Sequence, residues 1–144
     1  MDGRVCGILY LTPVSISVTT STPTGAEVSP IHRFIAVYIQ EAHAVDEWPI
    51  QEAPRSFRQH QSLDERREAC QHLIQDYSIY LRGLDFYVDG MDNAFEQKYA
   101  SWPYRFWVLN QTKVLFKAMP KGAMYDLQTL DQFLDTHIDG ETRA

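Results

Sequence analysis

Residues 34–39, Phe-Ile-Ala-Val-Tyr-Ile, form an uninterrupted apolar run of β-forming side chains. A strand that is apolar at every position, rather than at alternate positions, is typical of a sheet that is covered on both faces. Helices packed on a partly parallel sheet provide such cover. The run therefore predicts an α/β fold built around one buried strand.

Downstream of this run, helical and strand patterns alternate. Ser62-Leu-Asp-Glu65 is a capping box, in which a hydroxyl and a carboxylate satisfy backbone amides at a helix start. The helix that follows has one apolar stripe, formed by Leu63, Cys70, Leu73, Ile74 and Tyr77. Its other positions are expected to face water, namely Asp64, Arg66, Arg67 and Glu68. We further predict a strand at Leu84–Val88, a helix at 92–100, a hairpin of strands at 105–110 and 112–117, and a last amphipathic helix ending near His137. This order predicts a mixed sheet with thioredoxin-like topology.

The chain divides by composition into three parts. With 144 residues and 44% hydrophobic content, it is long enough for one domain with a real core. Residues 1–33 form an arm rich in Ser and Thr, which we expect to be extended or disordered, although the alternation at 14–18 would suit an edge strand. Residues 34–138 are the predicted domain, and residues 139–144 are a short tail.

Charge and cysteine content narrow the classes of partner. The formal charge is −6 and no basic face for a phosphate backbone can be recognised, so nucleic acid is not expected as a partner. Cys6 and Cys70 form no CxxC pair, which indicates neither a disulfide framework nor a cysteine zinc site and favours a reducing compartment. The apolar run at 5–11 is short for a signal peptide, and no stretch reaches the ~20 apolar residues that span a bilayer. We therefore expect a soluble, cytoplasmic chain without a membrane segment.

Several short motifs follow one another along the chain. Residues 37–48, Val-Tyr-Ile-Gln-Glu-Ala-His-Ala-Val-Asp-Glu-Trp, place an acid and a histidine directly after the predicted buried strand. Residues 59–66, Gln-His-Gln-Ser-Leu-Asp-Glu-Arg, lead into the capped helix, and residues 88–93, Val-Asp-Gly-Met-Asp-Asn, follow the next strand. The hairpin at 104–110 and the loop at 117–122 continue the series. Taken in order, from residue 34 to residue 137, these motifs resemble the iodothyronine deiodinase family. Gln40 and Glu47 depart from the family's pattern, which has an acid and a glycine at those places.

The resemblance implies a thioredoxin-like fold and an oxidoreductase that removes iodine reductively from a small aromatic substrate, an iodothyronine such as thyroxine. In the family a selenocysteine or cysteine attacks the iodine, and a thiol serves as the reducing cosubstrate. No bound cofactor is implied. Formation of a homodimer is a further implication of the resemblance.

The family's nucleophile has no counterpart at the corresponding place in this chain. Counting back from Tyr38 by the family's spacing leads to the region of Leu11, where there is no cysteine, and Cys6 stands in an unrelated sequence context. The Ser/Thr-rich arm replaces the helix that should follow the nucleophile. We therefore expect a fold that is incomplete at its N-terminal strand and helix, and a chain that is inactive as written. If an N-terminal anchor has been lost, the intact protein is membrane-anchored.

The resemblance singles out a small set of candidate site residues. Glu41 and His43 stand two apart after the strand, so that in an extended segment they point the same way and form a proton-donating couple, with Tyr38 hydrogen-bonded to it. His60 and Lys121 would bind substrate, the imidazole at a phenolic oxygen or an iodine and the ammonium at a carboxylate or phenolate. Each residue also has a purely structural alternative. Glu41 and His43 would then be an exposed pair in a loop, and Tyr38 would serve only in packing. His60 would be a surface histidine, and Lys121 would be solvated.

Three further expectations concern metal binding, a cysteine and a proline. Glu41, His43 and His60 are of residue types found in metal sites, but they lack the spacing of a metal motif, so no metal is predicted. Cys70 lies on the apolar stripe of its helix, where a thiol behaves as a small buried hydrophobe. Pro103 is predicted to follow a cis peptide bond, because thioredoxin-like folds place such a proline beside their site.

Two other functions remain open from the sequence. The first is a non-catalytic thioredoxin-like binding module, because Glu41 and His43 cannot replace a thiolate or selenolate. The second makes Cys6 a nucleophile in thiol exchange. No resolving cysteine is near Cys6 and no helix start follows it, so we expect Cys6→Ser to leave any activity unchanged.

Overall fold

The computed structural model describes residues 6–12, 33–49, 57–110, 113–118 and 127–139. The described elements, in chain order, are β1 (Cys6–Thr12), β2 (Arg33–Tyr38), α1 (Leu63–Asp76), β3 (Leu84–Val88), α2 (Ala94–Tyr99), β4 (Phe106–Asn110), β5 (Lys113–Lys117) and α3 (Leu127–Leu134), which continues into a π-helical turn at Asp135–Asp139. The strand alternation expected at 14–18 lies outside the described residues.

The five strands form one mixed sheet in the order β3-β2-β1-β4-β5. β2 is parallel to β3, and β1 is parallel to β4. The pairs β1 with β2 and β4 with β5 are antiparallel. The predicted α/β fold with a mixed sheet is therefore confirmed, and thioredoxin-like topology is consistent with it.

The first strand differs most from the expectation. Residues 6–12 were assigned to an extended or disordered arm, yet β1 lies at the centre of the sheet, between β2 and β4. Its sequence, Cys-Gly-Ile-Leu-Tyr-Leu-Thr, is short and apolar. Without β1, the facing edges of β2 and β4 would each carry a row of unpaired backbone groups, which is costly away from water. Pairing on both sides removes that cost.

β2 is buried on both faces, as its continuous apolar run predicted. Ile35, Val37 and Ile39 belong to one core cluster, which also contains Trp107 and Leu109 of β4. Tyr38 points to the other face, where it packs with the buried α1 residues Ala69, Cys70 and Leu73. The alternation of side chains along a strand produces this division. It also directs Tyr38 toward the middle of α1.

Helix α1 begins where its capping box predicted. The Ser62 hydroxyl accepts a hydrogen bond of 3.2 Å from the Glu65 amide, and the Glu65 carboxylate accepts one of 2.7 Å from the Gln61 amide. The carboxylate thus reaches one residue further back than the usual capping box requires. The two bonds fix the residues directly after His60.

The hairpin of β4 and β5 and the cis peptide bond were also predicted correctly. β4 and β5 pair with an irregular register between Val108 and Leu109, so that Leu115 is left out of the pairing. The Trp102–Pro103 peptide bond is cis.

Candidate functional site

Three polar side chains meet on the face of the sheet that α1 covers. The Tyr38 hydroxyl donates a hydrogen bond to Glu41 Oε1. His60 Nε2 lies 3.9 Å from the same carboxylate oxygen, and the rings of Tyr38 and His60 are 5.8 Å apart. Tyr38 is fully buried, and Glu41 and His60 are only 5% and 6% exposed. We call Tyr38, Glu41 and His60 the buried cluster.

His60 is neutral in this cluster at ordinary pH. Burial, reinforced by the positive charge of Arg66, lowers the pKa of His60 from 6.5 to about 4. Because the imidazole is neutral at pH 7, His60 and Glu41 do not form an ion pair there, and their separation of 3.9 Å is too long for a hydrogen bond. Within the part of the chain that the structure describes, neither ring nitrogen of His60 has a hydrogen-bond partner. A buried imidazole with a free donor and a free acceptor is a group that a ligand can satisfy.

Gln59 joins the loop after β2 to the segment before α1. Its side-chain amide accepts a hydrogen bond of 3.0 Å from the Glu41 amide and donates one of 2.9 Å to the Glu41 carbonyl. Its own backbone amide donates to Asp46 at 2.8 Å, and this bond lowers the pKa of the Asp46 carboxyl. The pairing places His60 beside Glu41, although 18 residues separate Glu41 from Gln59. Sequence reasoning did not identify Gln59, because an amide that pairs with a distant backbone has no local pattern.

The couple of Glu41 and His43 was predicted for an extended segment, and the structure describes a different backbone there. β2 ends at Tyr38, and residues 40–48 bend and turn, so the alternation of an extended segment does not reach Glu41 and His43. Glu41 is buried, whereas His43 is half-buried and lies against Trp48, with their rings 4.9 Å apart and His43 Nδ1 3.1 Å from the Trp48 carbonyl. The histidine nitrogen that the structure places 3.9 Å from the Glu41 carboxylate is Nε2 of His60.

Arg66 corrects another expectation. It was assigned to the water-facing side of α1, but it is only 2% exposed. Its guanidinium donates to the carbonyls of Asp89 and Gly90 at 3.2 and 2.7 Å and to Asn93 Oδ1 at 2.9 Å. Burial lowers the pKa of this guanidinium. Arg66 faces inward because the turn after β3 offers it three oxygen acceptors, which the helical pattern alone does not reveal.

A groove opens next to the buried cluster. It has a volume of about 390 Å³ and is lined by residues 57–61 and by Glu65, Glu68 and Ala69 of α1. His60 thus lies between the groove and the buried Glu41. A ligand in the groove would lie next to the segment that carries the imidazole, whose two ring nitrogens are buried.

Three further predictions concerned Lys121, metal binding and a membrane segment. Lys121 lies outside the described residues. Among the residues that the structure does describe, no group of three or more His, Cys, Asp and Glu side chains could hold a metal ion. No described helix is both long enough and apolar enough to cross a bilayer.

The fold and the buried cluster define an α/β domain with a buried group of polar side chains at the end of a sheet strand. The sequence profile of the family described as iodothyronine deiodinase matches residues 26–138 of this domain. The chain therefore belongs to the iodothyronine deiodinase family, as its motifs predicted, and the family is one of oxidoreductases in thyroid hormone metabolism.

Individual relatives agree with this assignment. The thyroxine 5-deiodinase of Sparus aurata is 26% identical over 115 residues, which cover 80% of this chain and 42% of that protein. The type II iodothyronine deiodinase of Fundulus heteroclitus is 32% identical over 113 residues, covering 74% of this chain and 41% of the relative. The type I enzyme of Xenopus laevis is 32% identical over 91 residues, covering 63% and 34%. The chain thus spans between 34% and 42% of the length of these relatives.

Proposed function

We propose that this domain carries the substrate-binding and proton-transfer part of a thiol-dependent deiodinase that acts on an iodothyronine such as thyroxine. The observation that carries the proposal is the buried cluster, in which a neutral His60 with unpaired ring nitrogens lies beside Glu41 and next to a groove. Membership of the deiodinase family supports the class of reaction.

The overall reaction needs a proton and two electrons at the ring carbon. A thiolate or selenolate takes the iodine, the carbon–iodine bond breaks, and its electron pair stays on the carbon, which then accepts a proton. One external thiol attacks the resulting sulfur–iodine or selenium–iodine bond and releases iodide. A second thiol restores the nucleophile, so two thiols become one disulfide. The sum is aryl iodide plus two thiols giving arene, disulfide, iodide and a proton.

The buried cluster can hold and deliver the proton in this sequence. His60 in its neutral form hydrogen-bonds a phenolic oxygen of the substrate, because one ring nitrogen donates and the other accepts. Glu41 and Tyr38 share a hydrogen bond behind His60, so a proton can be held in the cluster away from bulk water. His43 with Trp48, and Lys121, are assigned to the substrate's periphery in this proposal.

Cys70 cannot be the nucleophile. It is buried under β2, and burial raises the pKa of its thiol to about 11, so almost no thiolate forms at neutral pH.

The test is iodide release from thyroxine with dithiothreitol. The assay compares the chain with a version in which the family's strand, selenocysteine or cysteine loop and helix replace residues 1–33. The extended version should release iodide, and Glu41→Gln or His60→Leu in that version should reduce kcat by about 100-fold or more. Asp64→Asn, which changes a carboxylate of α1 that is 90% exposed and is not among the residues lining the groove, is the matched control and should stay within about threefold.

Silence from an extended version that is shown to fold would contradict the proposal. It would favour the non-catalytic binding module instead, since the buried cluster would then be present without chemistry.

A further inference from the structure

The side chain of Gln59 pairs with both backbone groups of a single residue, Glu41. Its carbonyl oxygen accepts a hydrogen bond of 3.0 Å from the Glu41 amide, and its Nε2 donates one of 2.9 Å to the Glu41 carbonyl. Both bonds are partly buried, which makes them stronger than the same bonds in water. Two parallel bonds of this kind hold two groups in one relative position, as paired backbones do in a sheet.

Two further contacts hold Gln59 itself in place. Its backbone amide donates to Asp46 Oδ1 at 2.8 Å, and its Nε2 also donates to Glu47 Oε2 at 3.1 Å. Glu47 stands where the family's pattern has a glycine, which has no side chain to accept such a bond. Close by, the Val45 amide donates to the Phe57 carbonyl at 2.8 Å. The turn after β2 and the segment before α1 are therefore joined side by side.

The pairing with Glu41 also decides where the His60 imidazole lies. His60 follows Gln59 directly in the sequence, and His60 Nε2 lies 3.9 Å from the carboxylate of the residue that Gln59 holds. Neither ring nitrogen of His60 has a hydrogen-bond partner in the described part of the chain. Since no bond of its own fixes the imidazole, its distance from Glu41 depends on the backbone on either side of it.

We infer that Gln59 is a positioning residue for the proposed reaction, and that its side-chain amide sets the place of the His60 imidazole relative to the Glu41 carboxylate. The inference rests on the proposed function and adds a residue that acts through His60 and Glu41. In a purely structural role, Gln59 would stabilise the loop without deciding where the imidazole lies.

The first test uses the unaltered chain and follows the titration of the His60 imidazole by NMR. His60 should titrate at about pH 4 in the unaltered chain. Gln59→Leu keeps a side chain of similar size without its donors and acceptor, so the imidazole should reach water and its pKa should rise by about 1 or more. Gln97→Leu is the matched control, because the exposed Gln97 also donates to a backbone carbonyl, that of Asp92 at 2.8 Å, and the pKa of His60 should stay at about 4.

The charged and titratable groups around the imidazole are unchanged in this comparison. Tyr38 and Glu41 face it from the end of β2, and Glu65 and Arg66 act on it from α1. Glutamine carries no charge, so a new pKa for His60 reports a displaced imidazole rather than a lost charge. In a purely structural role, the leucine variant would unfold at lower urea while the folded protein kept the pKa of His60 at about 4.

The second test is the kinetics of iodide release from thyroxine by the extended version. Gln59→Leu should lower kcat by about 10- to 100-fold, because a misplacement of about 1 Å is enough to disturb proton transfer. KM should stay within about threefold, whereas a direct contact of Gln59 with the substrate would raise KM. Gln97→Leu should leave kcat within about twofold.

A second variant keeps the inference testable if Gln59→Leu does not fold. Gln59→Asn retains the amide on a side chain that is one methylene shorter, so it cannot make both bonds to Glu41 without a shift of the backbone. It should change the pKa of His60 and kcat in the same directions, with a loss of about 3- to 10-fold in kcat. Circular dichroism checks that each variant is folded.

The outcomes separate the two proposals. If the extended version keeps its kcat in the folded Gln59 variants, or changes only in KM, or if the pKa of His60 stays at about 4, Gln59 is not a positioning residue and the proposed function stands. If the folded extended version with Gln59 intact releases no iodide, the proposed function fails and the inference fails with it.

Discussion

His60 is held in its buried position by neighbours rather than by bonds of its own. After His60, Ser62 and Glu65 fix the start of α1. Before His60, Gln59 is fixed by the hydrogen bond between its side chain and the Glu41 amide. The imidazole itself gains no hydrogen bond from the described residues, so its burial costs stability that the surrounding structure offsets. Groups held at such a cost are typical of functional sites. A residue kept for stability alone would be expected to be apolar here.

The stability of the protein should fall as the pH is lowered from about 6.5 to about 4, because the pKa of His60 falls from 6.5 to about 4 on folding. Between these two pKa values the unfolded chain binds a proton on His60 more strongly than the folded protein does. The folded state therefore keeps its full stability above pH 6.5 and loses stability as the pH falls from 6.5 toward 4. The loss from this group is on the order of 3 kcal/mol. Urea unfolding at several pH values measures it.

His60→Leu should flatten this pH dependence and change the stability at pH 7.5 by no more than about 1 kcal/mol, because no hydrogen bond is lost. His137→Gln alters an exposed histidine and is the control. If His60→Leu and His137→Gln show the same slope as the unaltered chain, His60 is not buried in its neutral form.

Tyr38→Phe should destabilise the protein by about 1–3 kcal/mol, because the buried Glu41 carboxylate loses a donor while the ring keeps its packing. Tyr80→Phe is the control, since Tyr80 is 83% exposed, and should cost less than about 0.5 kcal/mol. Both free energies come from urea unfolding at pH 7.5. Equal costs for the two variants would mean that the hydroxyl of Tyr38 makes no net contribution.

Among the secondary-structure elements, α1 is joined to the turn after β3 by one side chain. Arg66 donates to two carbonyls and one side-chain oxygen of that turn. In the same turn, the two carboxylate oxygens of Asp89 accept from the amides of Phe95 and Glu96, both at 3.0 Å, and so cap α2. The contacts of Arg66 and Asp89 therefore connect α1, β3 and α2 beside the site.

Arg66→Lys should cost about 2–4 kcal/mol, because an ammonium cannot reproduce the planar set of donors and would be left buried with fewer partners. Arg67→Lys, at the next and exposed position, should change stability by less than about 0.5 kcal/mol. Thermal and urea unfolding at neutral pH compare the two. A cost for Arg66→Lys no larger than that for Arg67→Lys would show that the guanidinium does not hold the turn.

The features predicted correctly from the sequence are those that depend on residues close to one another in the chain. The Ser62–Glu65 box and the continuous apolar run of β2 act within a few residues, so their patterns can be read directly. The inward turn of Arg66 and the role of Gln59 depend on acceptors 18 or more residues away. The buried Glu41 has the same explanation, since its partner His60 is 19 positions further along. Tyr38, three residues before Glu41, is a local partner.

At the scale of the whole molecule, the decisive feature is the place of β1. The strands β2 and β4 do not pair with each other, and the sheet is continuous only because β1 pairs with both. The sequence did not predict this, because a short apolar run within a hydroxyl-rich arm has no signal for the strands it will pair with. The pairing of β1 depends on the unpaired edges of β2 and β4, which lie far from it in the sequence.

A proline in β1 should therefore unfold the sheet as a unit. In a central strand every backbone amide points to one neighbour or the other, so proline at Leu9, whose partners are Ile35 and Trp107, removes a ladder bond on whichever side it faces. Leu9→Pro should cost on the order of 3 kcal/mol or more. Leu115→Pro is the matched control, because β5 is an edge strand and the register passes over Leu115, and it should cost about 1 kcal/mol or less.

Urea unfolding followed by circular dichroism and by tryptophan fluorescence distinguishes these cases, since Trp107 lies in β4 beside β1. A single coincident transition at much lower urea for Leu9→Pro, with Leu115→Pro close to the unaltered chain, would establish β1 as the strand that unites the sheet. Equal midpoints for the two variants would show that β1 is not the strand that unites the sheet.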